Sequence, residues 1–130
     1  PLLEIKIDKY IRFAIRDSIE LEKLDPLKRL LERFRDYPWP DMDPGWMLHY
    51  AIYESIFSGK TDILMQLLEN KIYRNTPCPD MEEGSNMLHY AITQCIELWQ
   101  TDILTQLLKN EIYRSTPWPD KKSSNMRKKG

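Results

Sequence analysis

The chain has 130 residues, enough for one domain with a core of its own, and it contains no apolar run near the roughly 18 residues that a transmembrane helix needs. Hydrophobic residues make up 42% and charged residues 30%, the balance of a soluble globular protein, and two cysteines are too few for a disulfide framework. Five cations and no acid lie in the last ten residues, so the formal −1 of the whole chain becomes −6 for residues 1–120, a poor platform for phosphate backbones.

The N-terminus, PLLEIKIDKY, lacks the basic start and small-residue cleavage site of a signal peptide. Helical spacing of apolar residues predicts helices over 4–23 and 26–35, the second opening on Asp25-Pro26 with proline in its first turn. The segment YPWPD (37–41) then breaks the chain. A third helix is expected over 46–58, with Leu48, Ala51, Ile52, Ile56 and Phe57 facing the core. A fourth spans 61–71, with Thr61 as N-cap and Ile63, Leu64, Leu67 and Leu68 buried. After the proline-studded NTPCPDMEEG, Asn86 caps a helix over 86–98, and Thr101 caps the last one, over 101–111. STPWPDKKSS ends it, and residues 121–130 read as a disordered basic tail. No stretch alternates as a strand would.

The chain repeats itself. MLHYAI stands at 47–52 and again at 87–92, and laying 41–80 over 81–120 gives 22 identities in 40 positions. A weaker first copy aligns IRFAI (11–15) with LHYAI, DPLKRLLE (25–32) with DILMQLLE, and YPWPD with TPCPD after a two-residue slip. Three copies, at about 4–40, 41–80 and 81–120, each hold two helices. Such a unit cannot bury its apolar face alone, so the expected fold is an all-α solenoid of three stacked helix-turn-helix repeats.

Both histidines of the chain, His49 and His89, lie in the repeated motif. Zinc wants three or four ligands at close spacing, and neither histidine forms an H-x-x-x-H or C-x-x-C unit with its neighbours. Stacked copies would hold the two about one repeat apart, too far to share a metal. With four glycines, no phosphate-cradling loop and no G-x-S-x-G, catalysis is not expected, and no cofactor is implied. Asp41 with Asp43, or Glu82 with Glu83, fall short of the six oxygens that calcium requires. Cys78 and Cys95 read as reduced thiols of a cytoplasmic or nuclear protein.

Gly84-Ser85-Asn86-Met87-Leu88-His89-Tyr90-Ala91 resembles the G-x-T-P-L-H-x-A motif of ankyrin repeats, and Ile63-Leu64 with Leu67-Leu68, like Ile103-Leu104 with Leu107-Leu108, is similar to the family's second helix. The likeness covers 41–120 well and 10–40 faintly. It departs in its period of 40 rather than about 33, and in Lys71 and Glu111 where the family has glycine. Forty residues is also the length of a HEAT-type repeat, the alternative α-solenoid. The resemblance implies that His49 and His89 are structural, tying neighbouring loops through hydrogen bonds.

It also implies that the residue after each histidine faces a concave surface. Tyr50 and Tyr90 are therefore candidate partner anchors, with Tyr53, Glu54, Thr93 and Gln94 one turn on. Trp39, Cys78 and Trp118 occupy one equivalent position between two prolines, where Trp39 and Trp118 either present a rigid apolar tip or fold back as lids. The expected function is a non-enzymatic protein-interaction module, similar to inhibitors of Rel-type transcription factors or to host-directed effectors, that binds a basic, partly apolar protein segment away from membranes. A self-assembling scaffold, or a nucleic-acid adaptor acting through the tail, are the alternatives.

Overall fold

The computed structural model describes residues 2–39, 42–43, 45–78 and 81–116, with side chains from residue 7 onward. Trp118, Asp41 and the basic tail lie outside the described residues. The protein is all-helical: α1 (Leu2–Glu20), α2 (Leu24–Arg33), α3 (Trp46–Phe57), α4 (Thr61–Glu69), α5 (Lys71–Arg74), α6 (Met87–Glu97), α7 (Thr101–Lys109) and α8 (Glu111–Ser115). No strand forms among the described residues, only an isolated antiparallel bridge between Pro77 and Asn86. None of the helices is long and apolar enough to cross a membrane.

Six of these helices form antiparallel pairs, α1–α2, α3–α4 and α6–α7, and each pair is closed by the same device. In the first turn, Lys23 N donates to Ser18 O and Glu22 N to Ile19 O; in the second, Lys60 N to Ser55 O and Gly59 N to Ile56 O; in the third, Gln100 N to Cys95 O and Trp99 N to Ile96 O. These are the two bonds of a Schellman cap, which needs a left-handed residue at its centre. Glu22 (φ 55°), Gly59 (φ 69°) and Trp99 (φ 57°) take that conformation, at equivalent places in the three sequence copies.

The cap corrects one expectation. Thr61 and Thr101 are not N-caps: Lys60 and Gln100 are, without a side-chain bond. The turn is so short that the residue ending the Schellman cap is already the cap of the next helix. Lys60 O accepts from Leu64 N at 3.1 Å and Gln100 O from Leu104 N at 3.0 Å, which leaves each threonine as the first helical residue.

Helices pack on sequence neighbours: α1 on α2 and α3, α3 on α4 and α6, α6 on α7. The core runs through the pairs as Ile15, Ile19 and Leu27; Ile52, Ile56, Leu64, Leu67 and Leu68; then Met87, Leu88, Ala91, Ile103 and Leu107. Phe57, read as core, is 61% exposed, because it lies one position beyond the buried stripe. Three polar ties join consecutive pairs: Lys60 Nζ to Glu22 Oε2 at 3.3 Å, Tyr73 Oη to Glu32 Oε2 at 2.7 Å, and Gln100 Nε2 to the Ile56 carbonyl at 2.9 Å.

The short helices α5 and α8 were not foreseen. Asn70 Oδ1 accepts from Ile72 N (2.9 Å) and Tyr73 N (3.2 Å), and Asn110 Oδ1 accepts from Ile112 N (2.9 Å), so each asparagine restarts the chain as a helix where a loop was expected. The first copy has no such helix. It is shorter by two residues between Arg33 and Tyr37, and Trp39 N, at the place of Cys78, donates to Tyr37 O, whereas Cys78 N donates to Ser85 O. Its linking segment closes instead as an aromatic cluster, with Trp39 4.5 Å from Tyr37, 6.0 Å from Phe34 and 5.2 Å from Trp46, centroid to centroid.

Candidate functional site

Because the motif LHYA starts successive helices, the residue at the histidine position of one pair meets the residue at the tyrosine position of the next. His49 stacks on Tyr90 with centroids 3.9 Å apart and planes 27° apart. Arg12, which aligns with His49, does the same one pair earlier: its guanidinium carbon lies 5.6 Å from the Tyr50 ring and 5.1 Å from that of Trp46. A groove of about 550 Å³ runs along these contacts, lined by Arg12, Trp46, His49, Tyr50, Tyr53, Met81, Tyr90, Thr93, Gln94 and Glu97.

Five residues expected on a binding face, Tyr50, Tyr53, Tyr90, Thr93 and Gln94, are thus brought together. Their roles differ. Tyr50 and Tyr53 are half-buried with rings available to the groove, Tyr53 stacking on Phe57 at 5.9 Å. Tyr90 is buried and forms the floor, because the His49 ring covers it. Gln94 holds the Glu97 carboxylate at 3.5 Å. Glu54 is buried beside Tyr50 and does not line the groove. Burial, followed by the charge and hydrogen bonding of Glu54, raises the Tyr50 phenol above its ordinary pKa.

Trp39 stands elsewhere. It is half-buried in the aromatic cluster and borders a second, larger cavity of about 660 Å³ among Phe34, Tyr37, Trp46, Met47 and Tyr73. Its indole is folded back rather than held out as a tip, since Phe34, Tyr37 and Trp46 offer it aromatic edges and faces. Arg12, Trp46, Met81 and Glu97 were missed as groove residues. The alignment of IRFAI with LHYAI carried the signal for Arg12, at the histidine position.

The two histidines do different work. His89 is fully buried and completes a capping box: Asn86 N donates to its Nδ1 and its own N donates to Asn86 Oδ1, both at 3.1 Å. An accepting Nδ1 puts the imidazole proton on Nε2. These bonds serve the start of its own helix. His49 cannot repeat the box, because Trp46 occupies the place of Asn86; it stacks on Tyr90 instead. Among the described residues no group of three or more His, Cys, Asp or Glu could hold a metal. Cys78 and Cys95 are buried, and burial pushes the Cys95 thiol up to about 11. Comparison of the chain with protein-family models, with curated proteins and with solved structures gives no match.

Proposed function

We propose that the chain is a non-enzymatic protein-interaction module, an ankyrin-like stack of three helix-turn-helix repeats that works in the cytoplasm or nucleus as an inhibitor or adaptor. Its ligand is a basic, partly apolar protein segment laid in the groove along α1, α3 and α6. The observation that carries this reading is the convergence of Tyr50, Tyr53, Tyr90 and Gln94 on one concavity with Glu97 among its lining residues. Aromatic rings give a ligand large contact area at little entropic cost, and the acidic body draws cationic chains toward it. The ankyrin-like part rests on the helix pairs in sequence order and on the LHYA motif at the start of the first helix in the second and third.

The test is selection of peptides from a randomised display library on the whole protein, followed by titration of an enriched peptide against variants. Enriched sequences are expected to combine Lys or Arg with apolar residues. Tyr50→Ala and Tyr53→Ala together should weaken binding by about 1–3 kcal/mol, several-fold to a hundred-fold, with the melting curve little changed. Removing 121–130 should leave affinity as it was. Acidic peptides whose binding vanishes with the tail would refute the groove and make the tail the functional element.

A further inference from the structure

Each pair of the stack has a forward face, which meets the next pair, and a backward face, which meets the previous one. The forward face is covered in the first two pairs and open in the third. Ile19 and Ile56 are 0% exposed, while the equivalent Ile96 is 60% exposed. Leu31 and Leu68 are 4% and 0% exposed, while Leu108 is 40% exposed. The backward face is the mirror case. Met47 and Met87 are buried, and Met87 lies against Gly45 of the preceding copy, while Tyr10 at the same position is 68% exposed. Tyr50 and Tyr90 pack on Arg12 and His49, while Phe13 at their position is 53% exposed. Terminal repeats of a stack ordinarily turn a polar face outward; both faces here carry large apolar side chains.

The turns match in the same way. The residue ending each turn reaches back to the turn before it: Lys60 to the Glu22 carboxylate, Gln100 to the Ile56 carbonyl. Continuing that ladder, Lys23 is the donor at the backward end and the Ile96 carbonyl the acceptor at the forward end. Beside it, Trp99 holds a left-handed conformation (φ 57°) at 85% exposure, where the second pair uses Gly59. A left-handed non-glycine residue carries a steric cost, which Glu22 bears as well at the equivalent turn of the first pair (φ 55°).

We propose that a second copy of this chain stacks head to tail on the first in the register of the inner pairs, its Tyr10 beside Ser85, its Phe13 beside His89 and its Lys23 at the Ile96 carbonyl, so that the backward face of its first pair covers Ile96, Trp99 and Leu108. The inner pairs identify this occupant, since each forward face already accepts a backward face of the same design. The contact is heterologous, so further copies can add.

Sedimentation of the full chain tests it. The weight-average mass should rise with concentration above the 15.6 kDa of one chain. Phe13→Glu and Ile96→Glu, both at exposed positions, should each weaken association at least ten-fold without lowering the melting temperature. Mixed in equal amounts, they should form a two-chain species and no larger one, because one sound interface remains. Trp99→Gly should associate several-fold more weakly while melting no lower, which separates an assembly role from a structural one. Three results would overturn the proposal: a wild-type chain that stays single into the high micromolar range; Phe13→Glu chains that still pair, which means forward face on forward face; or association that appears only when residues 117–130 are removed, which makes those residues the cover.

Discussion

His89 and His49 share a motif and diverge in chemistry, so their substitutions should part company. His89→Ala removes the side-chain half of a buried capping box and leaves Asn86 N without its acceptor, while the backbone bond from residue 89 to Asn86 Oδ1 stays; this should cost about 1–3 kcal/mol. His49→Ala removes one ring stack at a half-buried site and should cost about 0.5–1.5 kcal/mol; denaturant melts of the two variants decide the order. Cys95 makes a prediction in pH. Its thiol titrates near 11 in the folded state against an ordinary 9.0, so the unfolded chain releases that proton first as pH rises. Its contribution to stability is therefore intact below about pH 9 and lost as pH climbs through 11, and Cys95→Ala should flatten that part of the stability profile. Thiol reagents should leave native Cys95 untouched at neutral pH. At this scale the sequence told less. The identical letters of MLHYAI concealed that Tyr90 has a histidine over it while Tyr50 has an arginine, since that depends on the preceding copy.

The paired helices were legible because their apolar residues recur at helical spacing over ten residues or more, and the first copy was found from the alignments of IRFAI, DPLKRLLE and YPWPD. What stayed hidden were features settled by one or two residues. Asn70 and Asn110 restart the helix within a turn, a signal too short for periodicity to register. Thr61 and Thr101 looked like caps because the preceding lysine and glutamine carry no cap signal; the Schellman turn gives them that place. The turn also makes a prediction of its own. A Cβ on Gly59 would meet open space apart from Gln100 Nε2 at 3.9 Å, so Gly59→Ala should be penalised through its left-handed backbone alone, by about 1–2 kcal/mol. Thermal unfolding of the variant measures it, and a neutral result would mean the turn can change conformation at no cost.

Contacts between pairs hold the molecule together. Removing 81–120 should uncover Ile56, Leu64 and Leu68, all fully buried now, and lower the melting temperature of what remains well beyond the loss of two helices. An unchanged melting temperature would mean that the copies stand independently. The groove belongs to this scale as well, because its walls come from all three pairs; the repeat made its location legible, while the loss of an α5-like segment from the first copy made the second cavity, at Trp39, illegible.

The polar ties between pairs span 38, 41 and 44 residues of chain, about one repeat each. On a ribosome that distance becomes a waiting time. At roughly 5–20 residues per second, about forty residues take some two to eight seconds. For that interval each newly made pair waits with its forward leucines and isoleucines bare, until the next pair emerges and closes over them.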